Sequence, residues 1–284
     1  MRRSGKVPSR RRLDLEQHLL SFGIRPFNSD DYWLWGGTLL GPRRAKRFEQ
    51  LRQPLIDGGT VEQMLAFYDY ISRPIVADVA HSTKTDAIRV SGDAVESTLP
   101  SEGRILDVGC SIGYLTTYYG LRSARRNVTG VDLSAKAISR TRREAAKRKV
   151  ENVTFLSGDI TESLPGEKFD AIVSTQVLGK IANRGNALSL VSQALSPAGT
   201  LVSIEAFGNC SLAESYVAEA AECRLTLTRF DFVYFSDLGD NGAYPVFRFA
   251  LGGNAVSPDL PHEYRLVLDK LGRLSGTEEE NPHG

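Results

Sequence analysis

From about residue 100 the chain alternates between short β-rich runs and stretches whose apolar positions recur at helical spacing. The runs RILDVG (104–109), NVTGVD (127–132), NVTFLSGD (152–159), FDAIVSTQV (169–177) and TLVSIEAF (200–207) predict five strands. Segments around 112–122, 134–148, 184–195 and 211–222 predict the helices between them. Such alternation calls for a parallel sheet with helices on both faces. Two further runs, TLTRFDFVYF (226–235) and YPVFRFAL (244–251), are separated only by SDLGDNGA. That loop is too short for a crossover helix, so the two strands run antiparallel. The expected fold is α/β, a doubly wound and mostly parallel sheet with one antiparallel strand near its end.

The first hundred residues carry a helical pattern instead. In TVEQMLAFYDYI, Val61, Met64, Leu65, Tyr68 and Ile71 share one face, and Thr60 with Gln63 forms a capping-box pattern. Pro74 limits that helix, and residues 82–98 predict another with Ile88, Ser91, Val95 and Leu99 on one side. The stretch DYWLWGGTLLGP (31–42) holds both tryptophans and reads as a lid or a packed connector. The chain therefore divides into a basic tail and helical cover (1–99), an α/β unit (100–252), and a helix with a frayed acidic tail (253–284).

Composition narrows the function classes. Of 284 residues 41% are hydrophobic and 24% charged, enough for a substantial core, and the net charge of +1 gives no global field for nucleic acid or anionic membrane. Arg2, Arg3, Lys6, Arg10, Arg11 and Arg12, with RRAKR at 43–47, are read as a solvated basic segment. The basic helix SRTRREAAKRKV (139–150) is read likewise as a solvated outer face, because no RNA-binding module accompanies it. No apolar run approaches the roughly 20 residues of a membrane span, and a cytoplasmic protein is expected. Cys110, Cys210 and Cys223 fit neither a disulfide framework nor a metal site.

The chemistry concentrates in ILDVGCSIG. A glycine turn between strand and helix lets backbone N–H groups approach a ligand. Gly109-Cys110-Ser111-Ile112-Gly113 lacks the third glycine of a dinucleotide fingerprint, and Asp107 stands two residues before the first glycine. A carboxylate there repels a pyrophosphate and favours an ammonium group. Asp132, 19 residues after Gly113, stands where a carboxylate accepts from ribose hydroxyls, and Asp159 after Gly158 suits an adenine amino group. Ammonium, ribose and adenine, taken along one sheet edge, describe S-adenosylmethionine (SAM).

The motifs ILDVGCSIG, VTGVDLS, SGDI, FDAIVSTQVL and LSPAGTLV, in this order and spacing, resemble the class I SAM-dependent methyltransferase superfamily. The resemblance implies a Rossmann-like sheet of seven strands with the last antiparallel. It implies that Asp107 sits near the methionine amino end, and that Gly109, Cys110, Ser111 and Gly113 form the turn lining the carboxylate and ribose. It further implies that Asp132 holds the ribose, that Leu133, Asp159 and Ile160 surround the adenine, and that Ser174, Thr175 and Gln176 face the methyl donor. Ser111 departs from the common glycine and is expected to cap the following helix.

The acceptor is less explicit. After the fourth strand, STQVLGKIAN lacks the Asn-Pro-Pro-aromatic motif of many enzymes that methylate planar nitrogens. It resembles the VLxHL pattern of small-molecule methyltransferases, with Lys180 at the histidine position. A lysine at its ordinary pKa is a poor base at neutral pH and suits an anionic substrate group better. Glu205 at the end of the fifth strand and His81 before a helix of the cover are the other candidate catalytic groups, and Trp33, Tyr68 and Tyr70 are candidate pocket aromatics. Tyr68, on the apolar stripe of its helix, is assigned to core packing. A small-molecule acceptor is expected, an RNA or protein acceptor is the alternative, and a non-catalytic SAM-binding scaffold a third reading. The sequence leaves the oligomeric state open.

Overall fold

The computed structural model describes residues 14–26, 40–56, 59–207, 209–237 and 240–276. The tryptophan-bearing stretch 27–39, the basic residues from Arg2 to Arg12 and the acidic C-terminal tail lie outside the described residues. Five helices come first: α1 (Leu15–Ser21), α2 (Pro42–Ile56), α3 (Val61–Ile71), α4 (Pro74–Ser82) and α5 (Thr85–Glu96). Then β1 (Gly103–Val108), α6 (Tyr114–Arg122), β2 (Arg126–Asp132), α7 (Ala135–Lys147), β3 (Val153–Ser157) and β4 (Phe169–Thr175) alternate. A 3₁₀ turn (Leu178–Lys180) leads to α8 (Arg184–Ala194), β5 (Leu195–Ile204) and α9 (Cys210–Glu222). The hairpin β6 (Thr226–Asp237) and β7 (Asp240–Ala250) and the helix α10 (Leu260–Gly276) complete the chain.

The seven strands form one sheet in the order β3-β2-β1-β4-β5-β7-β6. β7 is antiparallel to both β5 and β6, and the pairs from β3 to β5 are parallel. This is the expected architecture. The connections after β1 and β4 lead to opposite sides, which opens a crevice at the carboxyl ends of those strands.

Each face of the sheet has its own core. On one, Leu106, Val108, Ile172, Leu201 and Phe247 meet Leu188 and Val191 of α8 and Tyr216 of α9. On the other, Ile105, Val173, Val202 and Ile204 meet Leu19 of α1, Ala77 of α4, Ile88 and Val95 of α5 and Tyr119 of α6. Three of the first five helices thus share a core with the sheet, and α2 with α3 forms a smaller cluster on Tyr70, Val76 and Val79.

Local signals explain the helix boundaries. Thr60 Oγ1 accepts from Gln63 N at 3.3 Å and Gln63 Oε1 accepts from Thr60 N at 2.8 Å, the reciprocal box the sequence predicts. Pro74 occupies the first turn of α4, where its missing N–H costs nothing. The start of α5 is capped from a distance: Asp86 N and Ala87 N donate to Asp237 at the end of β6, at 2.8 and 2.9 Å. Ser236 N donates back to Asp86 at 2.9 Å.

The basic helix α7 departs from the solvated reading. Arg140 donates to Asp78 of α4 at 2.9 Å and to the Ser72 carbonyl at 3.2 Å. Arg148 donates to the Ser21 carbonyl at 2.6 Å and stacks 3.9 Å over the Phe22 ring. Arg142 donates to the Phe155 carbonyl. A guanidinium is the weakly hydrated, forked donor suited to such sites. Among the described residues no helix is long and apolar enough to cross a membrane.

At the base of the sheet, Arg126 is only 4% exposed. It donates to Glu96 at 2.7 Å, to the Pro100 carbonyl at 2.7 Å and to the Tyr119 carbonyl at 3.1 Å, tying α5 and α6 to β2. Glu96 also accepts from Arg122 at 3.2 Å. Removing one member of a buried ion pair costs about 3–5 kcal/mol. Because Arg122 still reaches Glu96, we expect Arg126→Met to cost about 3 kcal/mol, measured by urea unfolding; a loss below about 1 kcal/mol would show that this cluster does not hold the two halves together.

Candidate active site

The turn after β1 is a chain of left-handed residues: Gly109, Ser111 and Gly113 have φ of 71°, 51° and 72°. The N–H groups of Gly109 and Cys110 both donate to the Val131 carbonyl, at 2.7 and 3.0 Å, which pulls the turn against β2. A Cβ at Gly109 would lie 2.3 Å from a Val177 methyl, and one at Gly113 would lie 2.2 Å from the Thr141 methyl. Both positions need glycine for space as well as conformation. Ser111 does not cap α6, contrary to expectation. The N-cap is Gly113, without a side-chain bond, and the left-handed turn carries the Ser111 hydroxyl to 3.5 Å from His81 Nε2 instead.

Asp132 closes the turn. Its two oxygens accept from Ser111 N and Ser134 N, both at 2.8 Å. Each oxygen keeps a lone pair for a further donor. Burial raises its pKa and outweighs the lowering effect of these two amides. Asp159 accepts from the Thr161 backbone and hydroxyl through one oxygen, at 2.8 and 2.7 Å, leaving the other oxygen without a partner among the described residues. Leu133, Gly158, Asp159, Ile160, Thr175 and Gln176 line the same cleft as Gly109, Ser111 and Asp132. Gln176 is also left-handed, φ 58°, and its N–H donates to the Ile204 carbonyl at 2.7 Å.

Three expected cofactor residues stand behind this lining. Asp107 is 4% exposed beneath the turn and accepts from Thr116 Oγ1 at 2.5 Å. Burial raises its carboxyl to about 7, opposed by the Thr116 hydrogen bond and helped by Asp132. Cys110 is buried with its sulfur against Gly130, and Gly113 is pressed against Thr141 and Phe155. These residues shape the turn from below, so any influence of Asp107 on a ligand is a field acting through backbone.

The cleft encloses about 910 Å³ and continues from the turn to the N-terminal helices. Phe48 of α2 and Val61, Met64, Phe67, Tyr68 and Ile71 of α3 form its apolar wall. The stripe on α3 assigned to core packing thus includes cleft lining, and Tyr68 belongs to it. Tyr70 is the core residue, its hydroxyl donating to the Arg44 carbonyl at 2.9 Å.

Of the candidate catalytic groups, His81 and Lys180 line the cleft and Glu205 does not. His81 Nδ1 lies 2.7 Å from the Ala77 carbonyl, which fixes its proton there and leaves Nε2 as the acceptor. Burial, with Arg140 and Lys84 nearby, lowers it to about 4, so it is neutral at pH 7. Lys180 departs from the ordinary lysine assumed from sequence. Confinement by the cleft walls, with Lys84 nearby, lowers it to about 8, opposed by Glu205.

Glu205 is fully buried as the hub of a polar knot. It accepts from Ser174 at 2.6 Å, Ser203 at 2.8 Å and Gly179 N at 2.9 Å, and Tyr216 donates to Ser203 at 2.8 Å. The expectation that it handles a substrate proton is corrected: it fastens the 3₁₀ turn bearing Lys180 to the end of β5. The sequence reading missed Lys84, which no motif marks and which reaches the cleft only through the junction of α4 and α5.

Residues 99–227 match a family described as a methyltransferase domain. Over 112 residues the chain is 32% identical to a malonyl-[acyl-carrier protein] O-methyltransferase of Priestia megaterium, covering 39% of each protein. Over 143 residues it is 26% identical to a release factor glutamine methyltransferase of Shewanella oneidensis, covering 50% of each. The chain therefore spans half or less of these relatives. Among solved structures, the [4+2]-cyclase SpnF superposes with a TM-score of 0.50 at 19% identity, over 62% of this chain and 83% of that one. A chain of the complex between the Haloferax volcanii Trm112 methyltransferase activator and a methyltransferase superposes with 0.52 at 15%, over 66% and 98%. These two likenesses show the fold.

Asp107 yields a pH signature. Unfolded, its carboxyl titrates near 3.8; folded, near 7. Between those values the folded chain keeps a proton that the unfolded chain releases, so this contribution to stability falls as pH rises through the window, by about 4 kcal/mol. His18 and His81, lowered to about 4, act in the opposite sense between pH 4 and 6.5, which makes the variant comparison necessary. We expect Asp107→Asn to gain stability relative to the wild type at pH 7.5 compared with pH 4, by urea unfolding at both. An equal difference at the two values would show that the folded carboxyl is not held protonated.

Proposed function

We propose that this chain, whose residues 99–227 form a class I SAM-dependent methyltransferase domain, transfers a methyl group to a small molecule held between that domain and helices α2 and α3. The observation that carries this reading is the single cleft of about 910 Å³ that joins the glycine turn to an apolar chamber. A volume of that size suits a cofactor and a small acceptor together.

The residues present fit SAM. Left-handed glycines keep side chains out of the turn, Asp132 has acceptor capacity left on both oxygens, and Asp159 has one oxygen free for a donor. On this reading Asp132 holds the ribose, Asp159, Ile160 and Leu133 surround the adenine, and Thr175 with Gln176 borders the transferred methyl. Bound SAM supplies an already activated sulfonium methyl, so the protein's task is alignment and exclusion of water. The apolar wall from Phe48 to Ile71 serves the second purpose.

Proton handling is limited. His81, lowered to about 4, is a weak base, and Glu205 is walled off. Lys180, near 8, is about one-tenth neutral at pH 7, so any part it takes as a base grows with pH. An acceptor that arrives with its lone pair already free suits this site best. An RNA acceptor is disfavoured because Arg140, Arg142 and Arg148 of the basic helix are engaged within the protein.

Asp132→Ala tests the cofactor assignment. We expect SAM and its demethylated product to bind the wild type in calorimetry and the variant at least about tenfold more weakly, the loss of a charge-assisted hydrogen bond being worth that much. Unchanged affinity would remove Asp132 from the ribose site, and no binding to the wild type would remove the cofactor reading itself.

A further inference from the structure

Of the cations that line the cleft, Lys46, Arg52, Lys84 and Lys180, two lie near enough to repel each other. Lys84, at the junction of α4 and α5, and Lys180, on the 3₁₀ turn after β4, both line it, and both side chains are exposed to it. Neither ammonium has a hydrogen bond or ion pair to any described residue. The carboxylates nearest in effect are committed elsewhere. Asp237 accepts from the N–H groups of Asp86 and Ala87, and Glu205 from Ser174, Ser203 and Gly179, and neither makes an ion pair with a lysine among the described residues. Each is nonetheless felt, Asp237 by Lys84 and Glu205 by Lys180. At the outer rim Arg52 pairs with Glu49 at 2.9 Å, so this rim carboxylate is also engaged.

Burial lowers the Lys180 ammonium first, and repulsion from Lys84 lowers it further. Two like charges kept together, opposed only by carboxylates that are hydrogen-bonded elsewhere, are a cost that an arriving anion relieves. Lys180 is also held rather than loose, because the amide of the preceding Gly179 is fastened to the buried Glu205. Much of the remaining lining of this cleft is apolar: Phe48, Met64, Phe67, Val177 and Ile181 are half-buried along it among the described residues. A positive pair in a cleft with an apolar wall defines a ligand with two ends.

We infer that the methyl acceptor is an amphipathic anion, its carboxylate or phosphate head held between Lys84 and Lys180 and its apolar body lying along α2 and α3. The inference rests on the methyltransferase reading for the word acceptor, but the ligand class follows from the two lysines and the wall alone. An anionic head also answers the shortage of bases in the site, since an oxyanion needs no deprotonation before it attacks or directs attack.

The test uses octanoate, octyl phosphate and the neutral octanamide as probes of one body with three heads. Each is titrated by calorimetry into the full chain with the demethylated cofactor present, at low and at moderate salt. We expect one of the two anions to bind at least about tenfold more tightly than octanamide, with the advantage shrinking as salt rises. Octanoate ahead of octyl phosphate identifies a carboxylate head, and the reverse order a phosphate head. Lys84→Met and Lys180→Met should each weaken the preferred anion about fivefold or more while leaving octanamide unchanged, which also shows that the variants are folded. Equal binding of anion and amide overturns the inference, and so does undiminished anion binding in both variants. A matching loss of cofactor affinity in the two variants overturns it too, because the lysines would then serve the cofactor's own carboxylate. The cofactor titrated alone reads the methyltransferase assignment separately: anion binding without cofactor binding upholds the ligand class and removes the word acceptor.

Discussion

The site depends on a steric constraint before it depends on any charge. The turn after β1 passes so close to the turn after β4 that the Val177 side chain stands where a Cβ of residue 109 would be. The same turn is drawn to β2 through the Val131 carbonyl and the Asp132 carboxylate. Three strand ends thus converge on a turn whose cleft-lining residues, Gly109 and Ser111, have almost no side-chain volume to give. The cofactor half of the cleft is the space left when backbone, rather than side chains, lines the crevice.

A second constraint sits on the other side of β4. Glu205 costs the fold the burial of a carboxyl, and three donors plus the Tyr216 relay offset that cost. Burial raises its pKa, opposed first by Ser174. What the fold obtains is a fixed turn from Val177 to Lys180, so the residue that packs on Gly109 and the cleft-lining Lys180 share one anchor. The two ends of the cleft are therefore registered to each other through β5.

The sheet was legible because strands and helices differ in period and because glycine and aspartate mark strand ends; the seven strands and the antiparallel β7 match the expectation. Membership of the cleft lining was legible for Asp132, Asp159, Ile160 and Gln176. It was misread in depth for Asp107 and Cys110, because a motif fixes sequence position and not which side of a turn a residue occupies. Periodicity failed more instructively on α3. Val61, Met64, Tyr68 and Ile71 form a stripe that a helix would bury, and a core and a ligand chamber demand the same stripe. Lys84 left no trace in the sequence because its significance is its nearness to Lys180, 96 positions away. The arginines of α7 are a third case: a run of charge on an outer helix looks solvated until α1 and α4 are seen folded onto it.

The reciprocal clasp between Asp86 and Asp237 joins the tip of the last hairpin to the first turn of α5, two residues from Lys84. The hairpin itself lies at the far edge of the sheet, beyond β5 and away from the glycine turn. A change in the length or twist of the hairpin would therefore shift Lys84 while the glycine turn kept its place, so the two ends of the cleft can be altered separately.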